Sequence, residues 1–152
     1  MKIAAFILTF VLSFAAQAQR FMAEQGSYEG RGKFRTEDGE SGTYSISVQF
    51  AERMIRGQKF LAMSSKSNGG GRTASWEIFF SEDRNGFFKV VDADLKQIGD
   101  GFCLEFQCHF SVSGFLTHTQ ETLSFQGPVM YVLGMRSQAG KKSSWQEILQ
   151  KQ

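Results

Sequence analysis

The chain has 152 residues, with 17 Lys and Arg against 15 Asp and Glu and a formal charge of +2. That balance excludes an electrostatic nucleic-acid binder, and no basic stripe occurs along the chain. With 41% hydrophobic residues, 21% charged residues and a single proline (Pro128), it is neither a disordered chain nor a Pro-rich linker, and its length implies one domain. The 16 Phe and 16 Gly are the unusual part of the composition.

Residues 1–18 read as a secretory signal peptide. Lys2 gives the positive start, Ile3 to Ala16 is an apolar run broken only by Thr9 and Ser13, and Ala16-Gln17-Ala18 is a small-residue cleavage site. The run is short for a membrane span, which needs about 20 residues. No Cys stands at the cleavage site for lipid attachment, and no second apolar run approaches spanning length. Cleavage after Ala18 leaves 19–152 as a single exported domain, periplasmic or secreted.

From Gly26 onward the pattern has period two. Tyr28, Gly30, Gly32 and Phe34 share one parity, and Glu29, Arg31, Lys33 and Arg35 the other, which predicts a half-buried strand with a charged outer face. The acidic turn Glu37–Gly42 leads to a second strand, Tyr44 to Phe50. A third runs from Gln58 to Ser67, followed by the glycine loop to Gly71. Trp76 to Phe80 is a fourth, and Asp83-Arg84-Asn85-Gly86 turns the chain into a fifth, Phe87 to Asp92. Phe102 to Val112 and Phe115 to Phe125 are long strands around a turn at Ser113-Gly114. Val129 to Met135 and Ser144 to Leu149 close the chain, with Gly140-Lys141 in the last turn.

About nine strands joined by short turns predict an all-β, antiparallel up-and-down meander, closed into a barrel of 8–10 strands that leaves no free edge. A transmembrane barrel would need an apolar outer face, and Glu29, Arg31, Lys33 and Arg35 oppose it.

The segment Gly26-Ser27-Tyr28-Glu29-Gly30-Arg31-Gly32 resembles the opening strand of calycin barrels, with Tyr28 in place of the Trp of their Gly-x-Trp-x-Gly pattern. Ser144-Trp145-Gln146-Glu147-Ile148-Leu149 resembles the closing strand of small lipocalin-like proteins. The resemblance implies an up-and-down barrel with an apolar interior and often a ligand cavity. Calycin relatives include lipid carriers, haem proteins, protease inhibitors and a few enzymes, so it does not fix a function.

Cys103 and Cys108 are the only cysteines. In an unbroken strand their separation puts them on opposite faces. If Leu104-Glu105-Phe106-Gln107 is a hairpin loop they face each other, and the exported setting favours a disulfide at the rim. The only histidines, His109 and His118, fall opposite each other on the outer face if the turn is centred on Ser113-Gly114. They are a weak candidate metal pair, since two ligands are an incomplete site and no further ligand joins them; solvated surface histidines are the plainer expectation. Glu121 shares the inward parity of Leu123 and Phe125. It either orients a polar ligand group or is a structural carboxylate bonded to Tyr28, Arg136 or a strand end. Glu147 with Trp145 poses the same question on the closing strand.

Tyr28, Phe34, Tyr44, Phe50, Trp76, Phe80, Phe110, Phe115 and Phe125 fall on inward positions, where they can fill a core or line an apolar pocket. No catalytic constellation is legible. Gly-x-Ser-x-Gly, His-Glu-x-x-His and Cys-x-x-Cys are absent, and the loop Asn68-Gly69-Gly70-Gly71-Arg72 lacks the Lys-Ser/Thr and the helix of a phosphate loop. No cofactor is implied. The leading expectation is a soluble barrel that binds a small apolar or amphiphilic molecule non-covalently. Its contact residues would be Tyr28, Tyr44, Trp76, Phe110, Glu121 and Phe125, with Glu121 or Tyr44 orienting the polar end. The alternatives are an envelope interaction module (an inhibitor or adaptor with a filled core, contacting through Thr36–Gly42 and Ser67–Arg72) and an enzyme or haem protein on the same barrel.

Overall fold

Residues 25–82 and 86–152 are described by the computed structural model, so the leader at 1–18 and most of the Asp83–Gly86 turn lie outside the described residues. Ten strands follow in order: β1 Gly26–Thr36, β2 Ser41–Ile55, β3 Gln58–Gly69, β4 Arg72–Glu82, β5 Phe87–Val91, β6 Gln97–Leu104, β7 Gln107–Gly114, β8 Thr117–Gln126, β9 Val129–Gln138 and β10 Lys141–Lys151. Each pairs antiparallel with its sequence neighbours, and β1 also pairs with β10, closing the barrel. Closure satisfies both edges of every strand, which an open meander cannot do.

The turns are tighter than the loops expected from sequence. Gly70 and Gly71, at φ 58° and 73°, are all that separates β3 from β4. Two consecutive positive-φ residues give a turn whose twist matches the strands it joins.

The expected 102–112 strand is two strands. Cys103 lies directly opposite Cys108, the two are disulfide-bonded, and only Glu105 and Phe106 lie beyond the Leu104–Gln107 pair.

One expected register is wrong. The β7–β8 turn is centred on Phe115 and Leu116, with Gly114 paired to Thr117. His109 therefore faces Thr122, its Nδ1 2.9 Å from Oγ1, and His118 faces Ser113, its Nδ1 3.0 Å from Oγ. The histidines are not cross-strand neighbours, so that candidate metal pair falls. Phe115 is 93% exposed at the turn rather than inward. The turn moved by two residues, which preserves side-chain parity, so Phe110 and Glu121 still face inward.

Inward positions build the core. Tyr28, Phe50 and Phe125 meet edge to face with centroids 5.9–6.2 Å apart, and Phe80 contacts Phe88 at 5.2 Å and Phe110 at 5.3 Å. Such pairs add about 0.5–1.5 kcal/mol each beyond the area they bury. A second cluster, Phe60, Ala62, Phe79 and Val91 with Ile55 and Leu95, lies on the opposite parity. Its signal was the continuous run Phe60-Leu61-Ala62-Met63, which is buried on both faces and breaks the alternation.

Candidate functional site

Several lumen-facing glycines sit beside an aromatic ring on the next strand. The Tyr44 ring covers Gly32, the Trp145 ring covers Gly134, the Phe88 ring covers Gly101 and the Phe34 ring covers Gly42. A Cβ on Gly42 would come within 2.7 Å of the Phe34 ring, and one on Gly32 or Gly134 would clash with the ring that covers it. The glycines let large rings lie flat along a small barrel wall. This accounts for part of the combined Phe and Gly excess.

The two ends of the barrel differ. Where β2 turns into β3 at Arg56-Gly57 and β6 into β7 at Glu105-Phe106, inward side chains are buried and the Tyr28–Phe50–Phe125 cluster closes the lumen. Toward the Gly70-Gly71, Phe115-Leu116 and Ala139-Gly140 turns, burial fades along the inward parity. On β8, Phe125, Leu123 and Glu121 are buried, whereas Thr119 and Thr117 are half-buried. On β4, Phe80 and Ile78 are buried, whereas Trp76 is 39% exposed. Solvent therefore enters from this second end, the mouth.

The polar groups stand where burial begins. Glu121 on β8 and Glu147 on β10 flank β9, one inward position apart, opposite Gly134 and Val132 respectively. Both are buried, at 8% and 6% exposure. The Tyr44 hydroxyl donates a 2.6 Å hydrogen bond to Glu147 Oε1. Burial, reinforced by the nearby Glu147 charge, pushes Glu121 up to about 8. Burial also raises Glu147, against the opposing pull of the Tyr44 hydrogen bond. The Tyr44 phenol is raised beyond its ordinary range by burial first, then by its hydrogen bond to Glu147 and the charges of Glu147 and Glu121. Ser65, on the inward parity of β3 opposite Trp76, has a buried hydroxyl with no hydrogen-bond partner. Unpaired buried polar groups are uncommon and call for an explanation.

Of the residues expected to contact a ligand, the structure brings Tyr44 and Glu121 together. Phe110 is the cross-strand partner of Glu121 and packs on Phe80. Trp76 sits at the mouth. Tyr28 and Phe125 lie in the ring cluster at the closed end, with Lys151 Nζ 5.6 Å from the Tyr28 ring centre. Ser65 was missed: one serine in the run Ser64-Ser65 on a strand carries no sequence signal beyond its parity. Among the described residues, no cluster of three or more His, Cys, Asp or Glu could hold a metal ion.

A groove of about 890 Å³ follows β1 and β10 and reaches Tyr44 and Glu147. Most of its lining, including Arg31, Lys33, Tyr131, Leu133 and Ile148, has outward parity, so it lies on the barrel wall and not at the mouth.

No protein-family model matches the sequence, and no curated protein matches it. Solved structures match in fold. The S-type phycobiliprotein lyase CPES from Guillardia theta aligns with a TM-score of 0.72 over 90% of this chain and 93% of that one, at 8% sequence identity. The chain folds as an all-β, ten-stranded lipocalin-like calycin barrel.

Proposed function

We propose that the protein is exported, is cleaved after Ala18, and acts as a soluble barrel that binds a small apolar or amphiphilic molecule non-covalently through its lumen. The observation that carries this reading is Glu121, an acidic side chain at a buried inward position of a lumen that opens to solvent at one end, together with the buried, unpartnered Ser65 hydroxyl. An unpaired buried polar group costs about 1–3 kcal/mol, so a fold that keeps one gains from a partner supplied from outside. The unpaired Ser65 hydroxyl and the Trp76 ring at the mouth support the same reading. The leader-like pattern of 1–18 and the Cys103–Cys108 disulfide support export.

The test is a binding titration with a polarity-sensitive apolar dye, run beside a thermal melt, for the native protein and Glu121→Gln. The variant changes affinity several-fold while remaining folded. Loss of binding that merely tracks loss of stability contradicts the role given to Glu121.

A second reading, an envelope interaction module, has one specific observation behind it. Tyr131, Leu133, Met135 and Ile148 leave an apolar strip exposed on the outer wall of β9 and β10. Leu133→Asp would then abolish a protein contact and leave the dye titration unchanged.

A further inference from the structure

Resting on the ligand-binding reading above, we propose that the lumen selects amphiphiles whose polar end is a protonated amine, seated against Glu121 beside the Tyr44–Glu147 pair. Charge sign sets the preference. Glu121 faces Phe110 on β7 and Gly134 on β9, with the Trp145 ring laid over that glycine. The next inward groups are the Glu147 carboxyl on β10 and the neutral Tyr44 phenol on β2 that donates to it, and β3 and β4 contribute Ser65 and Trp76. The inward-parity cations lie elsewhere: Arg72, Arg136 and Lys141 are exposed at the mouth, Lys141 paired with Asp38, and Lys151 is at the closed end over Tyr28. Among the described residues, the ion pairs are Lys59–Glu52 and Lys141–Asp38, so neither buried carboxyl has a cation.

A fatty carboxylate or a phosphate headgroup would bring a further negative charge beside two buried acids and find no cation there. An alcohol would gain one hydrogen bond. An ammonium supplies three donors and a charge. It can bond Glu121 and approach the outward lone pairs of Glu147, while indole faces at Trp145 and Trp76 favour a cation over their π-surfaces. A charged hydrogen bond is about twice as strong as a neutral one, and more so away from water. The tail then follows the apolar lumen toward the closed end.

The amine arrives carrying its proton, Glu121 releases its own to solvent, and the bound pair is ammonium and carboxylate. With Glu121 held near 8 in the empty barrel, affinity for the ammonium rises as pH goes from 6 to 8, while affinity for an uncharged head does not.

The experiment compares three probes of equal tail length, dodecylammonium, dodecanol and dodecanoate, below their aggregation concentrations. Calorimetric titration at pH 7 in two buffers of different ionisation heat counts the protons exchanged. Dodecylammonium is expected to bind at least about tenfold more tightly than dodecanol, and dodecanoate more weakly than either. Up to one proton is released per ammonium bound. Glu121→Gln removes most of the ammonium preference over dodecanol, since an amide offers the head no charge. Equal or tighter binding of dodecanol or dodecanoate overturns the amine assignment and leaves the ligand-binding reading standing. A full ammonium preference in Glu121→Gln overturns the seat at Glu121. No binding of any probe overturns both readings.

Discussion

Replacing Glu121 by Gln keeps the shape of the side chain and removes its titration. In the folded barrel Glu121 titrates near 8, against an ordinary value of 4.5. Below pH 4.5 both states hold the proton and no penalty arises. Between 4.5 and 8 the unfolded chain ionises while the folded one keeps its proton, so folding stability falls as pH rises. The slope is about 1.4 kcal/mol per pH unit at full development. Above pH 8 both states are ionised and the penalty is constant. At pH 7 it amounts to about 3 kcal/mol, which corresponds to roughly 10 °C in melting temperature for a domain of this size. The Gln variant lacks this term, so its advantage over the native protein should be near its minimum at pH 4 and grow by about 3 kcal/mol by pH 7. Urea unfolding of both proteins at half-unit pH intervals, without ligand, measures the difference. Glu147 contributes a slope of the same sign in both proteins and cancels to first order. Parallel stability curves from pH 5 to pH 8 would refute the burial of the Glu121 carboxyl.

Tyr44→Phe removes the donor to the buried Glu147 carboxyl and should cost about 1–3 kcal/mol. The loss should be larger at pH 8 than at pH 5, because that hydrogen bond favours the ionised form of Glu147; urea melts at the two pH values check it. Gly134→Ala puts a methyl group inside the space of the Trp145 ring and should destabilise by about 1–3 kcal/mol. In a Trp76→Phe background the emission of Trp145 should shift as the ring is displaced; unchanged emission and stability would refute the ring-over-glycine packing. Replacing Cys103 and Cys108 together by Ser opens a short loop and should cost about 2 kcal/mol. Reductant should lower the melting temperature of the native protein and leave the double variant unmoved.

The period-two pattern was enough to assign faces, because a strand with one buried side has only one workable parity. Glu29, Arg31, Lys33 and Arg35 are exposed and Glu121 is buried, as the alternation requires. Register was harder to read. Ser113-Gly114 has turn composition, yet the chain turns at Phe115-Leu116, with Leu116 at φ 56°. A bulky residue in the left-handed region carries no compositional signal, and only pairing with Thr117 and beyond fixes the position. The histidine pair was lost with that register. The disulfide hairpin was legible because two cysteines that can bond constrain a register that composition does not.

The candidate site was half legible. Glu121 and Tyr44 announce themselves as polar groups on an inward parity. Their convergence with Glu147 does not, because it needs the order in which β2, β1, β10, β9 and β8 lie side by side. The glycines show the same limit. Gly32 and Gly134 look like weak points in strands until Tyr44 and Trp145 are seen lying across them.

The most direct test of the account is the native mass of the protein purified from the cell that makes it. The predicted species begins at Gln19, is lighter by the two hydrogens of the Cys103–Cys108 bond, and carries a small molecule that leaves on denaturation. A bare or uncleaved polypeptide, under conditions where added dodecylammonium stays bound, would contradict it.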